Sequence, residues 1–156
     1  MELVIKTFDE LTVDELYEIL RLRVDVFVVE QRCPYHELDG LDRCALHLFL
    51  RDGEGVQGCL RVLPAGACFD TAGMGRVAVR RRRQGLGLRL VKAGVKTAWE
   101  RLGVGAITLD AQTYARGLYE QAGFRAVSGE FLEDGIPHIR MRLEWEAASG
   151  EQEEGF

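Results

Sequence analysis

The segment from Val77 to Leu88 constrains the fold more than any other part of the sequence. A β-rich run with Val77 and Val79 ends in four arginines, the chain turns through Gly85 and Gly87, and an amphipathic helix follows. The first N–H groups of a helix lack backbone partners, and the helix dipole adds partial positive charge there. Glycine lets a ligand approach the backbone because it has no Cβ. This junction is typical of an anion site for a phosphate or pyrophosphate.

The two glycines alone also suit a simple turn, so both interpretations stay open at this point. A dinucleotide fingerprint would need a third glycine where Leu90 stands, and a P-loop would need Gly-Lys-Ser/Thr, which is absent. Of the four arginines, we expect Arg82 or Arg83 to reach a phosphate and the others to face solvent.

Hydrophobic periodicity predicts the remaining elements. A capping box at Thr12–Glu15 begins a helix that runs to about Val29, and glycines close the two later helices. The expected strands are Glu2–Phe8, Ala45–Arg51, Gly55–Leu63, Gly75–Val79, Ala106–Ala111, Phe124–Val127 and Ile136–Leu143, and the later helices follow Gly87 and span Tyr114–Ala122. The order β-α-β-β-β-α-β-α-β-β predicts an α/β (α+β) fold with a mixed sheet flanked by helices.

The charge distribution divides the chain into a neutral body and an acidic tail. The net charge is -5, but four of the 25 acids lie beyond Trp145 and all 20 basic residues lie before it. We therefore expect one domain over residues 1–145 and a disordered tail over residues 146–156. The near-neutral body argues against nucleic-acid binding, and no segment is apolar enough to cross a membrane, so we expect a cytoplasmic protein.

The four cysteines are expected to be reduced thiols in the cytosol. Cys33 and His36, followed by Cys44 and His47, resemble two halves of a zinc site. Cys44 and His47 fall in an expected strand, where positions three apart point to opposite faces. No metal is therefore expected, and a zinc-stabilised interaction module is kept as an alternative.

Two segments resemble the motifs of the GNAT superfamily of N-acetyltransferases. They are Arg82-x-x-Gly85-x-Gly87, which is similar to the pyrophosphate motif Q/R-x-x-G-x-G/A, and Gln112-x-x-Ala115-x-x-x-Tyr119-x-x-x-Gly123-Phe124, which is similar to N-x-x-A-x-x-x-Y-x-x-x-G-F. Residues 22–35, 38–40 and 133–138 look like the ElaA branch of that superfamily, and the resemblance covers residues 2 to about 144. The chain departs from the wider superfamily at Gln112, where asparagine is frequent.

The resemblance implies a GNAT-like fold with a splayed central sheet and acetyl-CoA as cosubstrate. The strand that ends at Val79 would diverge from the strand Ala106–Ala111, and the pantetheine arm would lie in the gap. The residues implied to bind the coenzyme are Val77, Ala78, Val79, Arg82, Arg83, Gln84, Gly85, Leu86, Gly87, Leu88, Gln112 and Tyr119.

The implied reaction is acyl transfer from the thioester to an amine by direct attack in a ternary complex. Tyr119 would assist the leaving thiolate. The base stays open among Glu30, His47 and His138, because the stretch Met74-Gly75-Arg76 lacks the glutamate that many relatives place there.

The acceptor is expected to be a primary amine of unidentified structure. The loop Glu30–Arg43 would wall its side of the site, and its carboxylates would suit a cation. A non-catalytic acyl-CoA sensor is the alternative function, and the oligomeric state is open between monomer and homodimer.

Overall fold

A computed structural model describes residues 1–145 and has an eight-stranded mixed sheet at its centre. The strands are β1 (Glu2–Thr7), β2 (Leu46–Asp52), β3 (Gly55–Leu63), β4 (Ala72–Val79), β5 (Ala106–Gln112), β6 (Arg125–Ala126), β7 (Phe131–Glu133) and β8 (Ile136–Glu144). Their order is β1-β2-β3-β4-β5-β8-β6, and β7 pairs with β8. The β4–β5 pair is parallel, and the other pairs are antiparallel. The predicted mixed sheet is confirmed, and the expected acidic tail lies outside the described residues.

Three α-helices accompany the sheet: α1 (Val13–Val24), α2 (Leu86–Thr97) and α3 (Arg116–Gln121). Both long helices continue in π-helical geometry, α1 through Glu30 and α2 through Leu102. The predicted capping box is confirmed, because the Glu15 N–H donates to Thr12 Oγ1 at 3.1 Å and the Thr12 N–H donates to Glu15 Oε1 at 2.9 Å.

The core lies on both faces of the sheet because successive strand residues point to opposite sides. On one face, Leu48 and Leu50 of β2 pack in the same cluster as Leu90 and Val91 of α2. On the other face, Phe49 belongs to a smaller cluster with residues of α1. The two helices therefore cover opposite faces, and the strand ends are left to form a site.

The C-terminal hairpin differs from the prediction. The sequence pattern predicts that the turn at 133–135 joins the strand at 124–127 to the last strand, but the turn joins the short β7 to β8. Asp134 and Gly135 have φ values of 51° and 75°, as a two-residue type I′ turn requires. The predicted pairing of the strand at 124–127 with the last strand is confirmed, since Arg125 pairs with Arg142 and Ala126 with Met141. The predicted turn between these two strands is wrong, because a three-residue strand such as β7 is too short to show alternation.

Strands β4 and β5 separate soon after they pair. They share only the pairs Ala72↔Ile107 and Gly73↔Thr108. Beyond these, β4 contains one extra residue relative to β3, and Arg76 takes a left-handed φ of 53° at this bulge. The predicted divergence is confirmed, and it leaves a gap at the carboxyl ends of two parallel strands, where ligands of open α/β sheets bind.

Candidate active site

The bend before α2 exposes backbone N–H groups. Gly85 is the N-cap residue with φ 73°, and no side chain in the described range 1–145 caps the helix. The first helical bond is donated by the Arg89 N–H to the Gly85 carbonyl at 3.1 Å, so the amides of residues 86–88 have no partner within the helix. A Cβ built on Gly85 would meet no atom within 4 Å, so the space in front of the bend is open. An anion can approach these amides directly.

The arginines of the bend lie on the surface and form weak pairs. Arg83 has a left-handed φ of 63° and forms no ion pair with the described part of the chain. The other three each meet one surface acid: Arg80 with Asp25 at 4.0 Å, Arg81 with Glu54 at 3.2 Å and Arg82 with Glu30 at 2.9 Å. Exposed pairs of this kind contribute about 0–1 kcal/mol, so an arriving phosphate can replace the carboxylate.

A cavity of about 600 Å³ opens from the gap between β4 and β5. Its walls come from the loop at 31–41, from β3, β4 and β5, from the start of α3, and from the β7–β8 hairpin. Four of the residues predicted for the site line it, namely Val77, Gln112, Tyr119 and His138. Its volume is in the range of small-molecule sites.

Tyr119 presents a protonated hydroxyl to this cavity. The residue is 8% exposed, and its ring packs edge-to-face against Phe124 at 6.1 Å. Burial raises the pKa of Tyr119 well above its ordinary value. Within residues 1–145 its hydroxyl forms no hydrogen bond, so it can donate to a ligand atom in the cavity.

His138 is oriented by the β7–β8 hairpin. The pairs Phe131↔His138 and Glu133↔Ile136 place Phe131, Glu133 and His138 on one face, and the imidazole stacks on Phe131 at 6.1 Å. Nδ1 lies 2.7 Å from the Ile136 carbonyl, which can only accept, so we assign the proton of the neutral ring to Nδ1. Nε2 then carries the lone pair, and it lies 3.5 Å from Glu133 Oε2.

The other two candidate bases do not reach the cavity. His47 is buried in β2, its Nε2 lies 2.8 Å from the Asp42 carbonyl, and burial lowers its pKa. Glu30 is exposed and pairs with Arg82 at the bend. Of the three candidates, the structure brings only His138 into the same cavity as Tyr119.

Gln112 is held at the end of β5 by a reciprocal amide pair with Gln31. The Gln31 amide donates to Gln112 Oε1 at 3.0 Å, and the Gln112 amide donates to Gln31 Oε1 at 3.0 Å. Gln31 follows the π-helical end of α1, so this pair links that segment to β5. Both side chains line the cavity.

Sequence reasoning predicted a role for the loop carboxylates but missed the arginines that pair with them. The six residues form a group beside the cavity, here called the arginine–carboxylate cluster: Arg23, Glu37, Asp39, Asp42, Arg61 and Arg76. Arg23 is 1% exposed, and it anchors the group from α1. The bonds are Arg23 Nε to Glu37 at 2.8 Å, Arg23 Nη1 to Asp42 at 2.7 Å, Arg61 Nη1 to Asp39 at 2.9 Å and to Asp42 at 3.1 Å, and Arg76 Nε to Glu37 at 2.9 Å. The loop carboxylates expected to attract a cationic amine are therefore already paired with arginines.

The cluster favours the ionised form of two of its acids, Asp39 and Asp42. Burial alone would raise the pKa of Asp39 and of Asp42, but hydrogen bonds and charge from Arg61 and Arg23, respectively, hold each pKa below its ordinary value. One feature of the sequence indicates the cluster: Arg23 adjoins the apolar face of α1, which contains Ile19 and Leu22, so its charge is expected to need a buried partner.

The residues of the zinc alternative do not converge. Cys33 Sγ donates to the Asp134 carbonyl at 3.5 Å, and Cys44 Sγ donates to the Leu41 carbonyl at 3.3 Å. In residues 1–145 no three side chains of histidine, cysteine, aspartate or glutamate are arranged to hold a metal ion. No helix in the same range is long and apolar enough to span a membrane.

Comparison with known proteins places this geometry in a family. A family model described as an acetyltransferase (GNAT) domain matches residues 27–145. A UPF0039 protein of Schizosaccharomyces pombe is 40% identical over 92% of this chain and 97% of its own length, and Protein ElaA of Escherichia coli is 34% identical over 86% and 91%.

Solved structures agree with the sequence comparison. The crystal structure of an acyl-CoA N-acyltransferase from Pseudomonas aeruginosa has a TM-score of 0.84 and 37% identity, and it covers 91% of this chain and 99% of that one. The crystal structure of Escherichia coli ElaA has a TM-score of 0.85 and 32% identity, with 92% and 99% covered. The chain belongs to the GNAT acetyltransferase family, and it is similar to the ElaA and UPF0039 proteins within it. This family membership implies an acyl-CoA cosubstrate.

Proposed function

We propose that the protein transfers an acetyl group from acetyl-CoA to a primary amine by direct attack in a ternary complex. The observation that carries the proposal is the combination of three features: the uncapped start of α2, which follows β4 in the chain, the gap where β4 leaves β5, and the cavity at that gap that contains Tyr119 and His138. Together they match a long cosubstrate with a diphosphate at one end and a reactive thioester at the other.

In this proposal the coenzyme is held mainly by the backbone. The amides from Arg83 to Leu88, through Gln84, Gly85, Leu86 and Gly87, bind the pyrophosphate, and Arg82 or Arg83 adds charge. The pantetheine arm extends along β4 at Val77, Ala78 and Val79, and Gln112 and Tyr119 meet its thioester end. The gap is available because β4 and β5 stop pairing at Gly73.

Tyr119 stabilises the departing sulfur. A free thiol has a pKa of about 8.5 and an ordinary tyrosine about 10, so complete proton transfer to the thiolate is already uphill. Burial raises the pKa of Tyr119 further, which widens the mismatch. The hydroxyl therefore acts as a hydrogen-bond donor to the developing thiolate.

His138 accepts the proton of the attacking amine. An alkylammonium has a pKa of about 10.4, so it must lose a proton before its nitrogen can attack. The ammonium first gives one proton to solvent, and the neutral nitrogen then forms the C–N bond at the thioester carbon while the C–S bond breaks. The second nitrogen proton passes to His138 Nε2 directly or through one water, and the sulfur departs as the thiolate that accepts a hydrogen bond from Tyr119. The Nδ1 bond to the Ile136 carbonyl keeps the lone pair on Nε2.

Coenzyme release measured against a panel of amines tests this function. We expect release that depends on both acetyl-CoA and an amine. Tyr119→Phe should lower kcat at least about tenfold with little change in acetyl-CoA affinity, and His138→Gln should lower it about 10²-fold or more. Tyr17→Phe, on the exposed face of α1, is the matched control.

Three outcomes would count against the mechanism or the function. An unchanged kcat in Tyr119→Phe would show that Tyr119 does not take part in the mechanism. An unchanged kcat in His138→Gln would show that His138 is not the base. Binding of acetyl-CoA without release by any amine would support the sensor alternative.

A further inference from the structure

Arg76 occupies an unusual position on the wall of the cavity. It lies at the bulge of β4 with φ 53°, a conformation that non-glycine residues rarely adopt. Such strain persists only where the surrounding structure maintains it, and it is concentrated at functional sites. Arg76 also lines the cavity, and its side chain is 22% exposed.

Two nitrogens of the Arg76 guanidinium are used, and the third, Nη1, is free. Nε donates to the Glu37 carboxylate oxygen Oε2 at 3.1 Å, and Nη2 donates to the Glu37 backbone carbonyl at 3.2 Å and to Asp39 Oδ2 at 3.3 Å. The Tyr35 ring lies 5.6 Å from the guanidinium carbon, and its hydroxyl donates to Glu37 at 2.6 Å. Nη1 forms no hydrogen bond with any residue in the range 1–145. A guanidinium has no acceptor atom, so the free Nη1 group can bind only an acceptor such as a carboxylate oxygen.

The neighbouring acids do not prevent an anion from binding there. Each carboxylate of the arginine–carboxylate cluster is already matched by an arginine, three against three, so the cluster carries no net charge. A carboxylate that enters the cavity would therefore meet donor groups of Arg76 without an uncompensated acid beside them.

Another part of the cavity lining, at the β7–β8 hairpin, has the reverse character. Glu133 is about half-exposed at 51%, and neither it nor Asp134 pairs with a lysine or arginine of the described chain. Asp110, the third acid on this side, is paired with Arg140 at 2.8 Å. Glu133 and Asp134 lie on the hairpin that carries His138, and Glu133 Oε2 lies 3.5 Å from His138 Nε2. The cavity thus has a donor wall on β4 and an acidic wall at the β7–β8 hairpin.

We propose that the acceptor is an amine that also carries a carboxylate, and that Arg76 binds the carboxylate. Its ammonium group lies at the acidic wall, where His138 removes a proton. Amino acids and the free amines of short acidic metabolites have this chemistry. The inference rests on the proposed function, because it names the substrate class of the same site.

Matched pairs of acceptors test the proposed substrate class directly. Lysine is compared with cadaverine, and phenylalanine with phenethylamine, since each pair differs only in the carboxylate. We expect kcat/KM to be at least about tenfold higher for the carboxylate-bearing member of each pair, because a hydrogen bond to a charged group contributes binding free energy of that size. Arg76→Gln should abolish this preference through KM, and Arg76→Lys, which keeps the charge but loses the planar fork, should restore part of it.

Two controls separate a binding role from a structural one. Arg125→Gln removes an exposed arginine far from the cavity, and it should leave the preference unchanged. Acetyl-CoA affinity, measured by calorimetry, should be equal in both Arg76 variants and the wild type. If Arg76→Gln does not fold, the carboxylate preference of the wild type and its change in Arg76→Lys still show whether Arg76 binds the carboxylate.

The outcomes distinguish this inference from the proposed function. Equal turnover of the matched amines by the wild type would overturn the inference and leave the acetyltransferase function standing. A preference that persists unchanged in Arg76→Gln would remove Arg76 as its cause. Failure of every amine to release coenzyme would overturn the proposed function together with the inference.

Discussion

Two arginine-rich regions of the molecule, the bend before α2 and the arginine–carboxylate cluster, differ in burial. At the bend before α2, Arg81 and Arg82 are more than half exposed, and each meets one surface acid. In the arginine–carboxylate cluster, Arg23 and Arg61 are almost fully buried, and each meets two acids.

The difference shows how burial decides what an arginine does. Exposed pairs are weak and screened by salt, so the arginines of the bend can exchange their carboxylates for a phosphate. Buried pairs cannot lose a partner without leaving an uncompensated charge. The bend is suited to reversible binding of an anion, and the cluster fixes the shape of the cavity wall at β4.

The largest effect is expected from removal of a buried arginine. Arg23→Met leaves the carboxylates of Glu37 and Asp42 without their main partner, so the free energy of unfolding should fall by about 3–5 kcal/mol. Arg81→Met, at an exposed pair, should change it by less than about 1 kcal/mol. Urea denaturation of both variants measures the contrast. Similar small losses of unfolding free energy in the two variants would show that the cluster does not stabilise the fold more than the exposed pair does.

The conformation of the bend is tested by Gly85→Ala. The left-handed φ of 73° costs a non-glycine residue about 1–2 kcal/mol, although the space around Gly85 is open. We expect the Kd for acetyl-CoA to rise about tenfold in calorimetry. Gly53→Ala, at a turn glycine that is equally open and has no positive φ, should leave the Kd unchanged. An unchanged Kd in Gly85→Ala would show that the conformation of this bend does not matter for coenzyme binding.

The arginine–carboxylate cluster should also make the free energy of unfolding depend on pH in the acid range. The folded pKa values of Asp39 and Asp42 lie below their ordinary values, so the stabilisation is complete above the unfolded pKa of about 3.9 and is lost as the pH falls toward the folded values. Denaturation midpoints should therefore be level near neutral pH and decline below about pH 4. Asp42→Asn should make the denaturation midpoint fall less steeply below pH 4. If the midpoint falls as steeply as in the wild type, Asp42 does not contribute to the pH dependence.

The smallest effect is expected at the surface pair of the bend. Glu30→Gln removes the carboxylate that competes with phosphate for Arg82, so acetyl-CoA should bind about two- to fivefold more tightly. The gain should shrink at high salt. Glu100→Gln, at the far end of α2, serves as the matched control. Weaker binding in Glu30→Gln would indicate that the pair supports the bend instead of competing with the ligand.

The same contrast explains what the sequence can reveal. The bend is encoded in one short segment, because a strand end, two glycines and a helix start are local features, and local features leave a pattern in neighbouring residues. The cluster joins residues from α1, the following loop, β3 and β4, and no spacing rule relates positions so far apart. Nothing in the spacing of Arg23, Glu37 and Asp42 predicts that they pair.

Other parts of the site depend on geometry that side-chain patterns do not encode. The bulge that turns Arg76 toward the cavity appears only in the pairing of β3 with β4. The position of His138 depends on β7, whose three residues are too few to show strand alternation. The amide pair between Gln31 and Gln112 spans 81 positions of the chain.

Binding of an acyl-CoA at the bend before α2 is tested most directly by isothermal titration calorimetry of the wild-type protein with acetyl-CoA. We predict a single site per chain, with competition by free coenzyme A and with affinity that falls as salt is raised. Absence of any heat of binding at millimolar acetyl-CoA, from protein shown to be folded, would contradict the assignment of the bend as a pyrophosphate site.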